Sequence, residues 1–127
     1  MITGRVCSGS GQASKAFTEH RMQELMALFG FRPFPGTLNL RVPDLPLAVS
    51  QFGEPLALTE HDTPIGPLRW WPIYIHALPG KPYRGLLVRG QKSRAPYLEI
   101  VAPVSLRSLG LSDGTQMSIQ PAPPSLP

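Results

Sequence analysis

Residues 28–40 read LFGFRPFPGTLNL, and this stretch carries the change from a helical to an extended pattern on which the fold depends. The apolar residues that lead into it recur at i, i+3, i+4 and i+7, the spacing of one helix face: Met22, Leu25, Met26 and Phe29. Gly30 follows the last of them, and glycine commonly ends a helix at this point. The pattern predicts a helix over about residues 16–29.

The residues after Gly30 predict an extended segment and then a strand. Pro33 and Pro35 exclude a helix interior, because proline lacks the backbone N–H and its ring clashes with the preceding turn. From Thr37 to Val42 apolar and polar residues alternate, which is typical of a strand with one buried face. Because Thr37 and Asn39 are two residues apart, their side chains are expected on the same face of that strand.

Short β-type segments separated by proline and glycine make up most of the remaining sequence. The other predicted strands lie at 2–6, 56–58, 68–75, 83–89, 98–101 and 116–119. In the predicted strand at 68–75, Trp70 and Trp71 are expected on opposite faces. One is expected in the core and the other as a stacking surface or a barrel exterior residue. A short helix is predicted at about 103–109, whereas the proline-rich and acidic residues 43–67 are expected to be otherwise irregular.

This inventory predicts a mainly β domain of about six strands, one longer helix and one short helix. Periodicity alone leaves a barrel and a sandwich open, although a barrel removes the exposed edges of so many short strands. A chain of 127 residues fits a single domain, which we place at residues 1–120. Residues 121–127 contain four prolines and are expected to form a disordered or extended tail.

Charge and composition narrow the classes of function. The formal net charge is +4, but the arginines are dispersed, which argues against extended nucleic-acid binding and favours a pocket for a phosphorylated small molecule. No apolar run is long enough for a membrane span or a signal peptide. With one cysteine, Cys7, no internal disulfide can form, so a cytoplasmic protein is expected, with no protein partner implied.

Two segments are candidates for ligand binding. The loop from Ser8 to Ser14 contains two glycines, precedes a predicted helix and is followed by Lys15, an arrangement that suits a phosphate group, although a plain flexible connection explains it as well. Thr37 and Asn39 present neutral oxygens of the kind that Mg²⁺ accepts together with substrate phosphates. The alternative is that both residues simply occupy the solvent side of an amphipathic strand.

Taken in order and spacing, segments from almost the whole chain resemble the archaeal-type CTP-dependent riboflavin kinases. The matching pieces are Gly4–Gly11, Phe17, Leu28–Leu40, Gly66-Pro67, Pro72–Ile75, Leu98–Pro103, Leu106-Arg107 and Leu111–Gly114. The segment that ends in PGTLN is the most specific of these pieces. The resemblance implies a six-stranded cradle-loop β-barrel, and transfer of the CTP γ-phosphate to the 5′-hydroxyl of riboflavin, which yields FMN and CDP.

The resemblance also implies roles for individual residues. Those expected to hold the nucleotide are Ser10, Gly11, Gln12, Ala13, Ser14 and Lys15, together with Val104, Ser105, Leu106 and Arg107. Thr37 and Asn39 would coordinate Mg²⁺, and Glu99 would contact the flavin and orient or deprotonate its hydroxyl. Gln91 stands where the family presents a threonine to the flavin. The alternatives are a barrel that binds nucleotide or flavin without catalysis and, third, a nucleic-acid-binding barrel.

Overall fold

The computed structural model describes residues 1–8, 19–32, 37–59, 66–76 and 82–123. The helices are α1 (Glu19–Phe29) and α2 (Leu45–Ser50), and a single 3₁₀ turn spans Arg107–Leu109. The strands are β1 (Ile2–Cys7), β2 (Leu38–Arg41), β3 (Ala57–Thr59), β4 (Leu68–His76), β5 (Tyr83–Gly90), β6 (Leu98–Val101) and β7 (Gln116–Pro121). Strands β1 and β7 show the alternation expected from the sequence, since their buried residues are apolar and most of their outward residues are polar.

Six of these strands close into an antiparallel barrel. The pairing runs β4-β5-β6-β2-β1-β7, and β7 returns to pair with β4. Strand β3 lies outside this circle and pairs with the first part of β4. The predicted six-stranded, mainly β barrel is therefore confirmed, and closure excludes the sandwich because it removes the free edges.

Pro72 lies within β4 at the point where that strand changes partner. On the side of the strand that faces away from β5, the Trp70 carbonyl accepts a hydrogen bond from Leu56 next to β3 (2.9 Å). The Pro72 carbonyl accepts from Ala122 next to β7 (3.1 Å). The proline nitrogen faces the junction between the two ladders, so its missing N–H interrupts neither of them.

The barrel interior and the outer face under α1 form two separate apolar clusters. Inside, inward side chains from all six barrel strands pack together, including Leu40, Ile73, Leu87, Leu98 and Ile119. Outside, α1 buries Leu25 and Phe29 against Trp70, Leu86 and Val88. Both clusters are needed to bury enough apolar surface in a domain of this size.

Both tryptophans belong to the core, one in each cluster. Trp71 packs inside the barrel next to Phe52, with ring centroids 6.5 Å apart. Trp70 packs outside it against Phe29 of α1, at 6.4 Å. The prediction that they lie on opposite faces is correct, but the second tryptophan is not an exposed stacking surface because the helix covers it.

Two predictions about local structure need correction. Residues 45–50 form α2 rather than an irregular segment, because Asp44 caps the helix by accepting a hydrogen bond from the Leu47 N–H and proline fits the first turn. The short helix expected at about 103–109 is reduced to the 3₁₀ turn. The tail was expected to be disordered or extended, and its first residues are bonded to the barrel, since Arg84 donates to the Pro123 carbonyl (2.7 Å). Residues 124–127 lie outside the described part of the chain. Residues 16–18 of the predicted longer helix also lie outside it.

Candidate functional site

A row of outward-facing residues crosses the middle of the barrel wall. In the register of the sheet, Asn39 of β2 lies directly opposite Cys7 of β1 on one side and Glu99 of β6 on the other. Glu99 in turn lies opposite Val88 of β5. Directly opposed residues of antiparallel strands have Cβ atoms roughly 4.5–5.5 Å apart, so the carboxamide of Asn39 and the carboxyl of Glu99 are neighbours.

Asn39 is buried and lacks a hydrogen-bond partner for its side-chain oxygen. The residue is 6% exposed, and its Oδ1 accepts no hydrogen bond from any of the described residues. A buried polar atom left in this state costs about 1–3 kcal/mol, which a folded protein rarely carries without a use for the group. A buried neutral oxygen without a described partner fits a ligand to a hard divalent cation such as Mg²⁺.

Glu99 is the other buried polar residue in the described core. It is also 6% exposed, and its neighbour Val88 belongs to the apolar cluster under α1. Burial raises the pKa of Glu99 from 4.5 to about 7, and the nearby positive charge of Arg89 opposes part of this rise. A carboxyl group with a pKa near neutrality can exchange a proton with a bound hydroxyl at physiological pH.

A small cavity opens at the end of β2 and joins several predicted ligand residues. Its volume is about 110 Å³. The lining residues are Thr37, Leu38, Ile100, Ala102, Val104, Ser105, Leu106 and Arg107. The cavity therefore brings together two predicted parts of the site that are far apart in the chain. They are Thr37, predicted as a metal ligand, and the whole 104–107 segment, predicted to hold the nucleotide.

Arg107, expected to hold the nucleotide, forms a charged cluster with Ser8 and Asp113, and Asp113 is the member to which the sequence analysis gave no role. Nη2 of Arg107 donates to Oδ1 of Asp113 (2.9 Å) and to the Cys7 carbonyl (3.4 Å). Oδ2 of Asp113 accepts a hydrogen bond from the hydroxyl of Ser8 (2.7 Å). The pKa of Asp113 is lowered below its usual value, most by the hydrogen bond from Ser8 and next by the one from Arg107. The carboxylate therefore stays ionised. The sequence signal was the Asp113-Gly114 turn, which indicates a turn but not what the carboxylate contacts.

The predicted flavin loop, which begins at Gln91, is held by hydrogen bonds from the Arg89 side chain to its backbone carbonyls. Arg89 donates to the carbonyls of Ser93, Ala95 and Tyr97 at 3.3–3.4 Å, and so fixes the course of the loop between β5 and β6. The Gln91 N–H donates to the Pro67 carbonyl (2.8 Å) and its side chain is exposed. No hydrogen bond joins Gln91 to Glu99 in the part of the chain that the structure describes.

The predicted nucleotide loop follows Ser8 in the chain. Ser10, Gly11, Gln12, Ala13, Ser14 and Lys15 lie outside the described residues. Ser8, the last described residue before them, lies at the end of β1 beside the charged cluster and one residue past the row that holds Asn39.

The fold and the site together define a class of protein. It is a small closed barrel whose wall carries a buried carboxamide–carboxyl pair, and a small cavity at the end of β2 is lined by Thr37 and Arg107. A binding site of this kind is concave, largely apolar and equipped with a few placed polar groups.

Comparison with known proteins identifies the family. The model of the CTP-dependent riboflavin kinases (CTP-dep_RFKase, described as domain of unknown function DUF120) matches residues 6–120, and the chain belongs to this family. It is similar to the riboflavin kinase of Methanobrevibacter smithii, with 31% identity over 94% of this chain and 98% of the relative.

Other relatives are longer. The riboflavin kinases of Methanocella arvoryzae and Thermococcus kodakarensis are 27% and 29% identical over 94% of this chain. The chain spans only 56% and 58% of the length of these two relatives. No helix among the described residues is long and apolar enough to cross a membrane.

Proposed function

We propose that the protein is a riboflavin kinase that transfers the γ-phosphoryl group of CTP to the 5′-hydroxyl of riboflavin with the help of Mg²⁺, and that the products are FMN and CDP. The observation that carries the proposal is the buried pair of Asn39 and Glu99, which lie opposite each other in the barrel wall. Membership of the family and the names of the relatives support the choice of substrates.

The metal side of the site rests on Asn39 and Thr37. Oδ1 of Asn39 is buried without a described partner, and Thr37 lines the cavity two residues earlier in the chain. Both side chains offer a neutral oxygen, which suits a cation that takes its remaining ligands from water and phosphate. Mg²⁺ held there would neutralise charge on the phosphoryl oxygens of the donor.

Glu99 acts on the acceptor. Its carboxylate accepts the proton of the riboflavin hydroxyl as that oxygen forms its bond to the γ-phosphorus and the bond to the CDP oxygen breaks. The raised pKa of Glu99 suits this task because the ionised and protonated forms are both populated near pH 7. Phosphoryl transfer otherwise depends on positioning, which the rigid barrel strands provide.

The cavity at the end of β2 holds the donor. The 104–107 segment and Thr37 line one cavity, and Arg107 brings a guanidinium to its rim. A guanidinium recognises phosphate oxygens through paired N–H groups. Residues 10–15 complete the donor site in this proposal.

The test is FMN formation from riboflavin and Mg²⁺ with CTP, ATP, GTP and UTP supplied in parallel. We expect turnover with CTP, and a loss of roughly 10²–10⁴-fold in kcat for Glu99→Gln, the usual contribution of a general base. Glu54→Gln is the matched control, because Glu54 is an exposed acid outside the site. Folded wild-type protein that forms no FMN with any donor would overturn the proposal, and flavin binding without turnover would point to a non-catalytic barrel.

A further inference from the structure

Asp113 connects the end of β1 with Arg107, a residue that the proposed function assigns to the donor. One carboxylate oxygen accepts from Ser8 at the end of β1, and the other accepts from Arg107 beside the cavity. Asp113 itself does not line that cavity. It therefore acts through Arg107, which does line the cavity.

The turn that carries Asp113 is fixed to β1 by backbone bonds. The Gly114 N–H donates to the Val6 carbonyl (2.8 Å), and the Val6 N–H donates to the Thr115 carbonyl (2.9 Å). Nη1 of Arg5 adds a bond to the Gly114 carbonyl (3.0 Å). Gly114 has φ 91°, a conformation that side chains with a Cβ rarely adopt, so the turn is specified by its glycine.

The bonds to Asp113 fix the orientation of the Arg107 guanidinium. Among the described residues, Asp113 and the Cys7 carbonyl accept from Nη2. Nη1 and Nε have no protein acceptor among the described residues, and Arg107 lines the cavity. A fixed guanidinium with free N–H groups loses less conformational entropy when it binds an oxyanion than a mobile one does.

We propose that Asp113 is a positioning residue for the donor nucleotide: held at the end of β1 by the Ser8 hydroxyl, it orients the Arg107 guanidinium toward the phosphate groups. The inference rests on the proposed function and adds to it a residue that contacts neither substrate. Arg107 and Asp113 are both about half exposed, at 46% and 54%. Exposed ion pairs contribute little to folding stability, so the effect of Asp113 is expected in nucleotide binding rather than in unfolding.

The experiment measures CTP binding by calorimetry in the presence of Mg²⁺, together with thermal unfolding and the KM values of both substrates. For Asp113→Asn we expect the Kd and KM of CTP to rise roughly tenfold, the cost of a lost charge-assisted hydrogen bond. The KM of riboflavin is expected to stay unchanged and the unfolding midpoint to move by no more than about 2 °C. Asp113→Glu, which keeps the charge, restores part of the affinity, and Glu54→Gln, which removes an exposed charge elsewhere, leaves CTP binding unchanged.

A double-mutant cycle tests whether Asp113 acts through Arg107. If it does, Asp113→Asn has little further effect on CTP affinity once Arg107→Gln is present, because the oriented group is already gone. Additive effects, or equal rises in the KM of both substrates, would overturn the positioning role. Wild-type protein that binds CTP as tightly as its Asp113→Asn variant overturns this inference alone. Wild-type protein that does not bind CTP overturns the proposed function as well.

Discussion

Neighbouring residues on the two faces of strands β2 and β6 are both hidden from solvent but differ in chemistry. On the inner face, Leu40 and Leu98 are fully buried among apolar side chains. On the outer face, one residue along each strand, Asn39 and Glu99 are only 6% exposed and polar. The inner pair stabilises the barrel by burial, whereas the outer pair carries desolvation costs that a bound ligand can offset. Burial on both faces therefore does not mean equal roles.

The largest contrast is expected between two neighbouring residues of β2. Leu40→Ala should cost about 2–5 kcal/mol of unfolding free energy, because it opens a cavity in the barrel interior. Asn39→Leu, which keeps the number and branching of the side-chain heavy atoms, should change stability by less than about 1 kcal/mol or increase it, since it removes a buried oxygen that lacks a described partner. Urea unfolding of both variants measures the difference.

Divalent-cation binding completes that contrast. In the presence of CTP, Mn²⁺ binding followed by electron paramagnetic resonance should be lost in Asn39→Leu. If Asn39→Leu destabilised the barrel as much as Leu40→Ala while cation binding survived, the outer face would be a structural surface like the inner one.

A second, smaller effect is expected from Glu99 and depends on pH. Its pKa is 4.5 ordinarily and about 7 in the folded protein, so between these values the folded state holds a proton that the unfolded state has lost. The contribution of Glu99 to stability therefore falls as pH rises from about 4.5 to about 7 and stays low above that range. Glu99→Gln removes this loss, and the variant should be more stable than the wild type at pH 8 by on the order of 2–3 kcal/mol.

The measurement is urea unfolding of both proteins at pH 4 and pH 8 with a chelator present, so that cations do not occupy the site. The difference between the two proteins should be near zero at pH 4. A difference of the same size at both pH values would show that the effect comes from packing and not from the proton.

The smallest effect is expected far from both faces, at the start of α2. Asp44→Ala removes the side-chain bond to the Leu47 N–H (3.1 Å) and should cost about 1 kcal/mol. Gln51→Ala, directly after the last residue of the same helix, serves as the control, because the Gln51 side chain is exposed, and should cost less than about 0.5 kcal/mol. Thermal unfolding of the two variants distinguishes a cap from a surface residue, and equal midpoints would argue against the cap. FMN formation should be unchanged in both.

Local pattern was sufficient for the main elements. The helical spacing from Met22 to Phe29 and the alternation after Thr37 predicted α1 and β2, because each pattern depends only on residues within one turn or one strand. Helix α2 was missed because proline at 46 suggested irregular structure, although proline is favoured in a first turn. That error came from reading the residue type without the capping aspartate before it.

The sequence by itself determined the class of fold, the spacing of Thr37 and Asn39, and the resemblance that suggested Glu99 as a site residue. Only the tertiary structure decided that Asn39 and Glu99 are opposite each other, that Thr37 shares a cavity with Arg107, and that Asp113 holds Arg107 and Ser8. These contacts join residues that are distant in the chain, and their register is set when the barrel closes. The pKa of Glu99 likewise follows from desolvation, which exists only after its neighbours have packed around it.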